Sequence, residues 1–213
     1  MQPTLAVIDV DIQSGQDELA REQLLENLQQ CPRRFISPLW VNLMRERADL
    51  RVVCLIHDLT GFDDFLVDVI RTIPGVRGTA AQIAFDGTVR SDPLIDVSLL
   101  NSVWDRRAAA MVLVKSQPSA DRDVYQALIG LPPHQQVELV WVVKIFHSSE
   151  ADLLILLLGE RTSALTGYVM SWVRTVPGVL DTQLTSVLDW HILGKTEDFT
   201  SLAQRFPDSH PAT

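Results

Sequence analysis

The residues of this chain that could do chemistry are few and scattered. Its five histidines are His57, His134, His147, His191 and His210, and no two of them stand at the H-x-x-x-H spacing that brings two rings to one helix face. Cys31 and Cys54 form no C-x-x-C pair. A metal centre therefore has no ligand set to start from. There is no G-x-S-x-G elbow, no phosphate-cradling P-loop and no G-x-G-x-x-G fingerprint. The sequence thus indicates no catalytic residue, no metal and no cofactor. What remains is a pairing that occurs twice, Asp49 with Thr79 and Asp152 with Thr182. A carboxylate can hold an amine, and a hydroxyl can donate to a carboxylate, so each pair could bind a small zwitterion. Asp also orients turns through local hydrogen bonds, and a β-branched Thr suits a strand. Both readings stay open.

The elements that must position these pairs also occur twice. Residues 48–76 align with residues 151–179 at one constant offset. Ala48 maps onto Ala151, Arg71 onto Arg174, Pro74 onto Pro177 and Val76 onto Val179. A period this long is a small domain rather than a solenoid unit, and it points to duplication. Each half reads as strand, helix, strand, strand, helix, strand. In the first half the strands are expected over 5–12, 35–44, 50–57 and 76–85, with helices over 16–30 and 60–73. Thr60 and Asp63 form a capping-box-like start for the second helix. In the second half the strands are expected over 108–116, 137–146, 153–158 and 179–188. Helices are expected over 120–129, with Ser119 as its cap, and over 165–176. The stripe Phe62, Phe65, Leu66, Val69, Ile70 and Ile73 has its counterpart in Leu165, Tyr168, Val169, Trp172, Val173 and Val176. Pro74-Gly75 and Pro177-Gly178 form the turns that end the two helices.

A βαββαβ unit closes as a four-stranded antiparallel sheet with both helices on one face, the ferredoxin-like arrangement. Strand two then lies on an edge, where Pro38 is tolerated. The run from Leu153 to Leu158 is apolar at every position, so both of its faces must be covered. Helices can cover only one. The fold expected is α+β, two tandem ferredoxin-like domains packed sheet to sheet as an intrachain pseudo-dimer of the dimeric α/β barrel type. The boundaries expected are 1–90 and 108–200 for the domains, 91–107 for a linker with an ordered turn around 94–104, and 201–213 for a frayed tail.

The chain has 213 residues, 46% of them hydrophobic, enough for two packed cores. Its net charge of −9 repels phosphate and argues against direct nucleic-acid binding. No signal peptide or membrane span is legible, and a cytoplasmic location is expected. Cys54, inside an apolar run, reads as a buried free thiol, and Cys31 precedes Pro32 at a helix end. Trp141 and Trp172 fall on apolar faces and are expected in the core.

The block from Ala48 to Phe85 and its copy from Ala151 to Leu188 resemble the effector domain of the Lrp/AsnC regulators. The residues that carry the likeness are Asp49 and Asp152 before strand three, Ile73-Pro74-Gly75-Val76 and Val176-Pro177-Gly178-Val179, then Thr79 and Thr182. Glu46 and Ser149 stand where that family has a glycine, Ala81 and Leu184 where it has a second threonine, and no helix-turn-helix precedes Leu5. The resemblance implies a non-catalytic module that senses a small molecule, an amino acid above all. Asp49, Thr79, Asp152 and Thr182 would be its ligand-binding residues. It would act in transcription regulation by self-association or through a DNA-binding family partner, with no membrane and no nucleic acid of its own. Two other readings stand beside it. One is a haem- or tetrapyrrole-binding enzyme of the dimeric α/β barrel type, for which His57, His147 and His191 are the candidates. The other is a degenerate interaction scaffold.

Overall fold

The structure, a computed structural model, describes residues 3–44, 49–89, 107–146 and 151–207. The fold is α+β and antiparallel, with two compact units. The first comprises Met1–Ile83 and Leu188–Arg205, the second Ala84–Val187 and Phe206–Thr213.

In the first unit β1 (Thr4–Ile12) and β2 (Ile36–Met44) both pair antiparallel with β3 (Leu50–Ile56). The sheet order is β4-β1-β3-β2-β8, to which β4 (Val76–Val89) contributes residues 76–83 and β8 (Val179–Ile192) its end from Leu188. The amphipathic helix α1 (Asp17–Gln30) buries Ala20, Leu24 and Leu28 on one face of this sheet. Beside it lies a second helical segment. It opens as a 3-10 turn (Leu59–Gly61), passes through α2 (Phe62–Asp64) and continues as a π-helix (Phe65–Arg71). Its Phe62, Phe65, Leu66 and Ile70 join Val10, Val52 and Cys54 in one core.

The second unit repeats the plan with β5 (Ala108–Ser116), α3 (Asp121–Ile129), β6 (Val137–Ile145), β7 (Leu153–Gly159), α4 (Thr162–Tyr168) with a π-helical continuation (Val169–Val173), and residues 179–187 of β8. Its sheet order is β8-β5-β7-β6-β4, with residues 84–89 of β4 beside β6. Every residue of β7 is buried, as its unbroken apolar run requires. The two Pro-Gly turns are the same device. Gly75 (φ +89°) and Gly178 (φ +92°) take the left-handed conformation. Their carbonyls accept from the N–H groups of Gln13 and Gln117, each at 2.7 Å.

Several expectations are corrected. Strands β4 and β8 run on to Val89 and Ile192, past the predicted ends at Phe85 and Leu188. The stretch predicted to fray begins inside a helix, α5 (Thr196–Arg205), which buries Phe199 just before it and Leu202 within it. Phe199 stacks on Trp40 at 5.9 Å, and that contact orders it. The cap of the first unit's second helical segment is Asp58, which accepts from the Thr60 N–H at 2.9 Å and the Thr60 hydroxyl at 2.8 Å, in place of a Thr60–Asp63 box. Ser119 does not cap α3. Its N-cap position is Ala120, and Ser119 itself sits at φ +70°. Trp141 is fully buried, but Trp172 is 38% exposed and leans on Tyr168. Strand β2 is flanked by the end of β8, since the Leu193 and Gly194 N–H groups both donate to the Leu39 carbonyl. A bulge between Pro38 and Trp40 accommodates the proline that cannot donate. Cys31 and Cys54 are free thiols, and burial pushes the Cys54 thiol far up. The expected turn at 94–104, nearly all of the 91–107 linker, Glu46, His147, Ser149 and His210 lie outside the described residues.

Candidate functional site

The two expected aspartates share a duty to the backbone. The Ile12 N–H at the end of β1 donates to the Asp49 carboxylate at 2.5 Å. The Ser116 N–H at the end of β5 donates to Asp152 Oδ2 at 2.8 Å. Each aspartate therefore ties the loop before strand three to the end of strand one. Thr79 accepts from Arg71 Nε at 2.8 Å on the surface. The backbone N–H of Thr182 donates to Asp181 Oδ1 at 2.8 Å. Thr79 and Thr182 contact no cavity described below, whereas Asp152 does.

That cavity belongs to the second unit and measures about 440 Å³, within the usual range for small-molecule sites. Four short segments build it: the end of β5 with the loop that follows, the end of β6, the approach to β7, and Phe85 of β4. Phe85 and Phe146, both largely exposed, meet edge to face at 5.4 Å and form an aromatic wall. The same cavity is lined by a polar set that includes Lys115, Ser116, Ser119, Lys144 and Asp152. Lys115 Nζ lies 3.2 Å from Asp152 Oδ1, and the Ser116 hydroxyl donates to Asp152 Oδ2 at 2.8 Å. Burial pushes the Asp152 carboxyl up. The Ser116 N–H, the Ser116 hydroxyl and the Lys115 ammonium outweigh that and hold it below the ordinary carboxylate value. With both oxygens engaged and its proton lost, Asp152 is a fixed counter-charge rather than a proton carrier. Lys144 is held from two sides, by Asp86 Oδ2 at 2.8 Å and by the ring of Tyr125, 4.5 Å below its ammonium. The Tyr125 hydroxyl is anchored on Thr88 Oγ1 at 2.7 Å. Burial raises the Tyr125 phenol, the Thr88 hydrogen bond and Lys144 pull it down, Asp86 pushes it up, and the net shift is upward.

Sequence reasoning did not single out the lysines. The signal was nonetheless present, because each is the only charged residue in the apolar half of its strand, AAAMVLVKS and VELVWVVKI, and each stands one place before the strand end.

Two more clefts occupy matching places in the two units, between the loop before strand two and the helix that turns π-helical. In the first unit the cleft holds about 350 Å³ and touches Cys31, Phe35 and Phe65. In the second it holds about 320 Å³ and touches Arg107, His134 and Tyr168. Neither fits a haem. An axial ligand must present a free electron pair from His, Cys, Met or Tyr. His134 Nδ1 accepts from the Gln136 N–H at 3.2 Å, so that electron pair is engaged. Its ring packs against Tyr168 at 5.4 Å. Burial raises the Cys31 thiol against the pull of Arg33, so no thiolate is at hand. His57 Nε2 is 2.9 Å from the Ser37 hydroxyl. His191 lies on β8 and touches none of these three cavities. Among the described residues no group of three or more His, Cys, Asp or Glu could hold a metal ion, and no helix is long and apolar enough to cross a membrane.

No family model and no curated protein matches the chain. Solved structures do. A protein described as a monooxygenase from Fusobacterium nucleatum superposes with a TM-score of 0.58 at 11% identity, covering 90% of this chain and 95% of that one. An anthrone oxidase-like protein gives a TM-score of 0.57 at 9% identity, covering 92% and 95%. Chlorite dismutase from Candidatus Nitrospira defluvii gives 0.54 at 12% identity, covering 93% of each chain. At such identities the likeness is one of fold, that of the dimeric α/β barrel type. These neighbours are named as enzymes rather than Lrp/AsnC effector domains, and they overturn that resemblance. With it go the non-catalytic amino-acid sensor, the role in transcription regulation and the expectation that the chain is not an enzyme. The reason is physical. The Asp and the Pro-Gly-Val turn that carried the resemblance hold strand one and the second helical segment in place, so they mark a ferredoxin-like frame and not an effector.

Proposed function

We propose that this chain is an oxidative enzyme whose active site is the β5–β6 cavity of the second unit, and that it works without haem. The observation that carries the reading is that the Phe85–Phe146 aromatic pair and the ammonium groups of Lys115 and Lys144 line one cavity. The names of the structural neighbours, monooxygenase, anthrone oxidase-like protein and chlorite dismutase, support chemistry on oxygen species as the class. An aromatic substrate with an acidic C–H beside the ring lies on the phenylalanines. It loses its proton to water, and the two ammonium groups favour the resulting anion. The electron-rich anion then reduces dioxygen. One oxygen atom stays on the carbon as a carbonyl and the other leaves as water. Neither Asp152 nor a haem takes part.

Oxygen uptake with anthrone and 1,8-dihydroxyanthrone tests this, each with and without added haemin. Uptake on at least one substrate without haemin is expected. A Lys144→Met variant should lower kcat/KM by about a hundredfold, the usual cost of removing one charge-stabilising donor. Activity that arises only with haemin, together with a Soret band, would overturn the reading, and so would no uptake on either substrate.

A further inference from the structure

The two copies agree on the bonds that hold the fold and disagree at the cavity. Their hydrogen bonds set the correspondence. Ile12 N–H to Asp49 matches Ser116 N–H to Asp152. Gln13 N–H to Gly75 O matches Gln117 N–H to Gly178 O, and Met44 N–H to Asp49 O matches Ile145 N–H to Asp152 O. On that register Asp11 stands opposite Lys115, Ile12 opposite Ser116, Gly15 opposite Ser119 and Leu43 opposite Lys144. Where the first copy has an acid, two apolar side chains and a glycine, the second has two ammonium groups and two hydroxyls, and all four line the cavity.

Ser119 adds an independent observation. Gly15 takes φ +84° and Ser119 takes φ +70° at the same place, and Ser119 is the only non-glycine residue with positive φ among the described residues. Glycine adopts this conformation freely, whereas an L side chain is strained there. The second copy keeps a side chain where the backbone asks for none, and that side chain borders the cavity. Lys115 and Lys144 each donate to one carboxylate, Asp152 and Asp86 respectively. An ammonium carries three donors, so each retains others for a ligand. Asp121, in the first turn of α3, also borders the space; with Asp152 and Asp86 it outnumbers the two lysines, so selection for the anion rests on the directed donors of Lys115, Lys144 and Ser119 and not on net charge.

We infer that the second copy has been specialised to recognise a planar aromatic molecule bearing an anionic oxygen, a carboxylate or an enolate, with Lys144, Lys115 and the Ser119 hydroxyl on the oxygen and Phe85 and Phe146 on the ring. This deepens the proposed function and rests on the same cavity. It concerns binding alone, and binding can be measured without turnover.

The test is calorimetric titration with 2-naphthoate and its neutral isostere 2-naphthamide. Naphthoate should bind the wild-type protein about tenfold more tightly than naphthamide or better, as charge-assisted hydrogen bonds allow. Lys144→Met should bring the two within about twofold of each other. Ser119→Gly should raise the melting temperature, because the strain is relieved, and weaken naphthoate by about three- to tenfold, the worth of one hydroxyl bond. Equal binding of the two probes to the wild type overturns the inference, as does a Ser119→Gly variant that binds naphthoate unchanged. Discrimination without any oxygen uptake supports anion recognition and removes the oxidase. Uptake without discrimination does the reverse.

Discussion

Asp152 has two jobs that can be separated by pH. Its carboxylate pins the end of β5 and balances Lys115. Its pKa is lowered in the folded chain, so the stability it contributes is fully present above the ordinary carboxylate value of about 3.9. That stability is lost as pH falls through the depressed folded value. In urea titrations at pH 5, 4 and 3, Asp152→Asn should start less stable than the wild type. The gap should narrow as the pH drops, because the wild-type carboxyl then becomes neutral as well. A gap independent of pH would mean that the side chain acts by shape alone. Asp49 and Asp152 were legible in the sequence because the same residue recurs at one spacing. Their partner was not, because the bond spans from residue 12 to residue 49 and from 116 to 152, and nothing local announces it. Ser119 is deceptive in sequence for a related reason. A serine before a helix suggests a cap, and only the φ angle reveals that it occupies a glycine position.

At the scale of elements, the most unequal feature is a row across β1, β3 and β2. Asp9 pairs in register with Arg51, and Arg51 with Asn42. Arg51 is 1% exposed and Asn42 0%, and Arg51 Nε meets Asp9 Oδ1 at 2.5 Å. The same register in the second unit is Leu113, Leu154 and Val143. The chain therefore contains its own hydrophobic alternative. Arg51→Leu alone should cost about 3–5 kcal/mol, since it leaves Asp9 charged and deprived of this partner. Asp9→Leu, Arg51→Leu and Asn42→Val together should be neutral or stabilising by about 1–4 kcal/mol. Thermal and urea unfolding of the two variants would check this, and a triple variant less stable than the single one would refute it. Strand positions were legible from apolar runs, β7 above all. Strand ends were not. The strand is expected to end at Phe85, before Asp86-Gly87, yet Gly87 lies inside β4, where a Cβ would meet Val143 of β6 at 2.7 Å. The residue serves close approach of two strands, and a turn signal cannot be told from that without the neighbour. Likewise the π-helical turns at Phe65–Arg71 and Val169–Val173 keep the six-residue stripe visible. They leave Trp172 turned toward solvent, which an ideal helical wheel places inward.

Across the whole molecule, duplication was legible and its inequality was not. The repeated block preserves the frame, which is why it suggested a family by architecture. The working differences lie outside that block or between its landmarks, at Lys115, Ser119 and Lys144 in one copy and at Asp9, Arg51 and Asn42 in the other. Equivalence does survive in one place that can be put to use. Each unit has a bulge before an indole in its second strand, Trp40 after Pro38 and Trp141 after Leu139, and both indoles are 0% exposed. Evolution has thus left a matched optical reporter in each half. With Trp40→Phe the blue-shifted emission should follow the second half, and with Trp141→Phe the first, so a single stopped-flow instrument could time whether the twins melt together or in turn.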